Sequence, residues 1–305
     1  MVQSFATIVI NATFAWMIGA LASRIWLDRF NDAVLGSVRA RLWSSLIIAT
    51  WLCMAASLLS LWQAAAAMGD VGLLETDVPL LKAFAATQYA FASFAGLGLL
   101  VLVLVAVSLT ARFKGFSGWQ RALSVAILLG VYAASRVTLG HAFEHGPLSL
   151  AVVVEWAHLI SMALWVGTVV TAAWIVLPYF AEVAPANRPR QAYLASVSTC
   201  ATVALAGIVI TGVINTVRVL AQPADLVTTD YGVVLTTKLA FVAIAVILGA
   251  YNRFVGFPKA LGSWRATLEP DLGPATVILR IESLALLVVL GAAAILTASA
   301  PPGAA

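Results

Sequence analysis

Residues 83–110 read AFAATQYAFASFAGLGLLVLVLVAVSLT, without one Asp, Glu, Lys or Arg. A run this long and apolar suits a helix that crosses a bilayer, since about 20 mostly apolar residues cover the hydrocarbon core. The same texture recurs on both sides of it. Seven further segments qualify, at roughly 4–26, 42–68, 119–142, 149–178, 191–219, 232–254 and 279–299. The chain of 305 residues is 62% hydrophobic and only 10% charged, with a mean hydropathy of +1.01. Soluble domains carry about a quarter charged residues, so this composition belongs in lipid. The connections are short and leave no room for a soluble domain. The expected fold is all-α, a polytopic membrane protein with eight transmembrane helices in one bundle, and residues 1–305 form a single integral membrane domain.

Charge sets the orientation. The links joining segments one to two, three to four, five to six and seven to eight hold Arg24, Arg29, Arg39, Arg41, Arg112, Lys114, Arg121, Arg188, Arg190, Arg253, Lys259, Arg265 and Arg280. That is thirteen of the seventeen basic residues. The alternate links hold Lys82, Arg136, Arg218 and Lys238, mixed with Asp70, Glu75, Asp77, Glu144, Asp225 and Asp230. Basic loops stay cytoplasmic, which puts both termini on the outer side. The first segment lacks the basic start of a signal peptide and is expected to remain as a true helix. The net charge of +4 is explained by these loops and implies no nucleic acid. Trp26, Trp43, Trp62 and Trp119 fall near segment ends, where aromatic belts form.

Ionisable residues inside the segments carry more information, because each costs several kcal/mol in hydrocarbon unless paired or hydrated. They are Arg136, Glu155, His158, Arg218, Lys238 and Glu282. Arg218 lies near a helix end, Lys238 can snorkel, and Glu282 is two residues from Arg280 at a helix start. Arg136 and Glu155 are placed to pair between the fourth and fifth segments. Arg136, Glu155 and Lys238 are expected to face the bundle interior or a water-filled vestibule. His158 lies about nine residues, on the order of 13 Å, into the fifth segment. Cys53 and Cys200 read as buried free thiols rather than soft ligands.

All three histidines, His141, His145 and His158, fall in one short stretch. His141-Ala142-Phe143-Glu144-His145 matches the H-x-x-E-H pattern of the inverted zinc proteases. That site needs one regular helix, a further acidic ligand downstream and an open groove. Here Gly140 precedes the pattern and Gly146-Pro147 ends it, on a tiny loop at the membrane surface. A metal reading uses the residues jointly. His141 and His145, four apart, share a face if a helix runs through them. Glu155, His158 and Met162 form one stripe on the next segment. Imidazole with carboxylate suits Cu(II) or Zn(II), and a thioether also tolerates Cu(I). The bland alternatives are a solvated pair at a helix end for His141 and His145, and an interhelical hydrogen bond for His158.

His158-Leu159-Ile160-Ser161-Met162-Ala163-Leu164-Trp165-Val166-Gly167 resembles the H-L-L-A-A-x-x-W-V-G signature of the CopD/PcoD copper-resistance membrane proteins, and Gly140-His141-Ala142 resembles the G-H-A before it. Thr211-Gly212-Val213-Ile214-Asn215, Tyr231-Gly232 with Lys238-Leu239, Gly249-Ala250-Tyr251-Asn252-Arg253, Pro258, Arg280 with Glu282, and Pro301-Pro302 follow the family's order. The resemblance covers roughly 136–302; the first three segments share only hydropathy. Ser161 and Met162 stand where the family has small apolar residues, so Met162 is not carried over as a family ligand.

The resemblance implies copper handling at the bacterial inner membrane, with a periplasmic copper-binding partner of the CopC type. No G-x-x-x-x-G-K-[ST] loop occurs, so transport would run on a gradient or by passing metal between partners. The first functional reading is a copper permease, not an enzyme, taking copper ion as Cu(I) or Cu(II) from the periplasmic side, with His141, His145, His158, Glu155 and Met162 as candidate ligands. A second is a b-type haem redox protein with His141 and His158 as axial ligands. A third is an assembly factor that holds copper without transporting it.

Overall fold

In hydrocarbon every backbone N–H and C=O must be paired within the chain, so apolar runs of this length fold as helices. The computed structural model describes residues 2–112, 118–140, 146, 149–183, 187–219, 229–261 and 271–298, and among these it is helical with no strand. In chain order the helices are α1 (Val2–Leu27), α2 (Gly36–Met68), α3 (Val78–Ala85), α4 (Gln88–Arg112) and α5 (Gly118–Val137). They continue as α6 (Leu150–Thr171), α7 (Leu177–Val183), α8 (Asn187–Val219), α9 (Asp230–Tyr251), α10 (Phe257–Ala260) and α11 (Gly273–Ala298). A π-helical turn joins α6 to α7 at Ala172–Val176, and another joins α9 to α10 at Asn252–Gly256.

Seven spans among the described residues are long and apolar enough to cross a membrane: Phe5–Leu27, Ala33–Met68, Gln88–Ser108, Leu150–Val183, Arg188–Arg218, Tyr231–Ala260 and Gly273–Leu296. The expected count was eight. The fourth expected segment does form a helix, α5, but Gln120, Arg121 and Arg136 leave it less apolar than the others. It also stops at Val137, short of the expected 142. The run 83–110 is not one helix either, since the chain turns at Ala86 and Thr87 between α3 and α4. Asp77 starts α3 by accepting from the Leu80 amide, with Pro79 in the first turn. Helix continues through the second π turn to Ala260, past the expected segment end at 254.

The bundle is organised around α1, which packs on α2, α5, α6, α8 and α11. Without a hydrophobic force between helices in lipid, close approach of small residues holds such contacts. Ala15 and Gly19 on α1 meet Gly167 on α6. A Cβ built on Gly19 would fall 1.9 Å from the Gly167 carbonyl oxygen, and one on Gly167 equally close to that of Ala15. These two helices therefore touch backbone to backbone. Around this seam Phe14 meets Tyr132 at 5.6 Å, and Tyr193 packs edge-on against Trp26 and Phe180. By contrast α9 packs on α11 but not closely on α8.

Candidate functional site

Two helix starts set the register of the site. Ser149 caps α6 by accepting from the Val152 amide, and Thr229 caps α9 by accepting from the Gly232 amide. From Ser149 onward, Glu155, His158 and Met162 line one face of α6. Helix α8 runs antiparallel beside that face, so successive contacts pair residues of falling number. Ser161 lies over Gly207, His158 meets Thr211, and Glu155 meets Asn215.

The His158 contact fixes a tautomer. Thr211 Oγ1 lies 2.6 Å from the Gly207 carbonyl, to which it donates its only proton. The hydroxyl can then only accept from His158 Nδ1, 2.8 Å away. Nδ1 therefore carries the hydrogen, and Nε2 keeps a free lone pair. This orientation by a neighbour is the arrangement that prepares an imidazole to bind a metal. One turn away, Asn215 Nδ2 donates to Glu155 Oε2 at 2.9 Å, which holds the carboxylate against α8. Across from α6, α9 brings Tyr231 and Lys238 within electrostatic reach: Tyr231 senses Glu155, and Lys238 acts on both Glu155 and His158. Ion pairs form elsewhere, at Arg24–Asp28 and Arg39–Asp28.

Glu155, His158 and Lys238 are all half-buried, and so is Arg136. Arg136 does not pair with Glu155, contrary to the sequence expectation. The reason is helical phase: Trp156, one residue on, is the side chain that faces α5 and donates to the Gly130 carbonyl at 3.0 Å. Glu155 is turned about 100° from it, towards α8. Arg136 instead lines a small cavity with Tyr89, Ser93 and Tyr132. Met162 is half-buried and packs against the main core. Cys53 and Cys200 are free thiols. His141 and His145 lie outside the described residues, and among the described ones no three His, Cys, Asp or Glu side chains gather closely enough to hold a metal ion.

Glu282 also departs from expectation. It is 1% exposed, and its carboxylate faces Trp165 of α6 rather than the helix start. The roles of Thr211, Asn215, Tyr231 and Lys238 around the imidazole were not assigned from sequence. Their signals were the family-like runs Thr211–Asn215, Tyr231-Gly232 and Lys238-Leu239, and the cost of a lysine inside an apolar segment; none of these named a partner.

Residues 191–296 match the family model described as copper resistance protein D, CopD. A curated protein of Pseudomonas syringae pv. tomato named copper resistance protein D is 28% identical over 191 residues, which is 58% of this chain and 62% of that relative. Both matches support the CopD family. The chain thus spans about three-fifths of the curated relative's length. No solved structure matches. The CopD segment holds α8 to α11 almost entirely, and with them Thr211, Asn215, Tyr231 and Lys238. Helix α6, which brings Glu155 and His158, precedes it. The site is therefore built across the edge of the matched segment, with Glu155 and His158 on one side and Asn215 and Thr211, which hydrogen-bond them, on the other.

Proposed function

We propose that this protein binds copper through His158 and moves it inward from the periplasmic side of a bacterial inner membrane. The observation that carries the reading is the Gly207–Thr211–His158 chain of hydrogen bonds, which puts the ring proton on Nδ1 and leaves the Nε2 lone pair for a metal, one helical turn from the Glu155 held by Asn215. The name of the Pseudomonas relative gives copper as the metal. His141 and His145 would capture the ion at the mouth, and Met162, one turn beyond His158, would accept it if it travels as Cu(I). A single domain over 1–305, α5 as an eighth span, both termini periplasmic and a CopC-like copper donor complete the proposal. The thirteen basic residues on alternate links support that orientation.

Copper uptake into sealed vesicles tests transport directly. Vesicles holding the wild-type protein should accumulate copper from the side that presents His158, and vesicles with His158→Ala should not. Equal uptake by both would overturn the permease reading. An absorption spectrum separates the haem alternative, because axial imidazoles on haem produce a Soret band and a copper site does not. Copper bound without uptake would favour the assembly-factor reading.

A further inference from the structure

Between α6, α8, α9 and α11 the bundle leaves a half-open cavity of about 380 Å³. It exists because α8 and α9 do not close on each other there. It lies in the half of the bundle opposite His158: Trp165, on its wall, is seven residues further along α6, about 10 Å at 1.5 Å per residue. Glu282 of α11 faces this space although only 1% of its surface is exposed. Its Oε1 accepts from the Trp165 indole at 3.2 Å, while its buried Oε2 has no partner. Gly249 of α9 leaves the room for that carboxyl, since a Cβ there would sit 3.1 Å from Oε1.

The charged groups nearby do not neutralise it. Arg253 lines the same cavity, but its Nη1 donates to the Ser198 carbonyl, the Ser198 hydroxyl and the Thr202 hydroxyl of α8, at 3.3, 3.1 and 2.7 Å. Arg280, on Glu282's own helix, turns away, with Nε 3.4 Å from the Ala173 carbonyl in the π turn and its guanidinium 4.8 Å over Trp174. From α6 the group facing Glu282 is the neutral indole, and the second π turn adds Asn252 to the cavity wall, its own Oδ1 buried without a partner. An ionised carboxylate here would keep one neutral donor in place of its hydration shell. A proton on Oε2 removes that charge.

We propose that Glu282 is a proton-binding carboxyl that takes up and releases its proton on Oε2 through this cavity. Trp165 holds Oε1 still, and Gly249 keeps the space open. The site requires no copper, so it stands or falls apart from the reading above.

Dicyclohexylcarbodiimide, a lipophilic reagent for protonated carboxyls in apolar surroundings, supplies the test on the full-length protein in vesicles. Mass spectrometry of the wild type should find the adduct on the peptide that contains Glu282, with a yield that falls as pH rises. An infrared spectrum should contain a protonated-carboxyl C=O band that shifts promptly in D₂O and is missing from Glu282→Gln. Absence of the adduct from a folded wild type, a yield independent of pH, or a band unaffected by the substitution would each overturn the proposal. Loss of labelling in sodium at constant pH would also overturn it, by making the occupant a metal cation rather than a proton.

Discussion

His158 Nδ1 sits 2.8 Å from Thr211 Oγ1, and the one proton of that hydroxyl is committed to the Gly207 carbonyl at 2.6 Å. The ring orientation of the candidate ligand on α6 is thus controlled from α8. Thr211→Val keeps the side-chain shape and removes the acceptor. We expect it to weaken copper binding about 10- to 100-fold, the usual cost of losing an orienting partner of a ligand. Thr211→Ser should retain most of the affinity. Metal titration of the two variants makes the comparison, and equal affinities would show that the hydroxyl does not orient the imidazole for metal.

His158 itself is expected to matter most. His158→Ala should abolish high-affinity copper binding while the protein remains folded and inserted. His145→Ala should do less damage. The titration needs equal protein levels, so that a degraded variant is not mistaken for an inactive one. Normal stoichiometry and affinity in His158→Ala would leave the Thr211 contact as an interhelical hydrogen bond and nothing more.

Asn215→Leu removes the donor to Glu155 Oε2. A buried polar group left without its partner costs about 1–3 kcal/mol, and more when it is charged. The expected result is a lower thermal midpoint in detergent together with weaker copper binding. A fall in stability alone would make Asn215 a packing residue and remove Glu155 from the site.

The α1–α6 seam has a built-in control. Gly19→Ala would drive a methyl group to within 1.9 Å of the Gly167 carbonyl, where backbone has to move. Overpacking of this kind costs about 1–3 kcal/mol or more. Gly98→Ala meets nothing within 4 Å and should be neutral or slightly stabilising, since alanine suits a helix interior better than glycine. Thermal melts of the two variants should therefore shift in different directions, or one should not shift at all.

Orientation is checked by a reporter active only in the periplasm, fused after Ala305. Activity there, with silence of a cytoplasmic reporter at the same position, is the expected outcome. The reverse would place the His158 half of the bundle on the cytoplasmic side.

The all-helical membrane architecture was legible in the amino-acid order because hydropathy is a local property. Any run as apolar as 83–110 has to pair its backbone internally when it enters lipid, whatever its neighbours are. The same locality put Glu155 and His158 on one stripe of α6, and it marked charges in apolar runs as worth explaining. Partners across helices were not legible, because they depend on the azimuth at which helices meet. That Glu155 faces Asn215, while its neighbour Trp156 takes the face towards α5, follows from a rotation that no single helix encodes. Glu282 is the sharper case. Its sequence position beside Arg280 suggested a helix start in contact with charge; the packing of α11 against α6 and α9 turned it inward to Trp165 and Gly249 instead. Local chemistry determined which residues are costly to bury, and the tertiary structure decided what each of them is buried against.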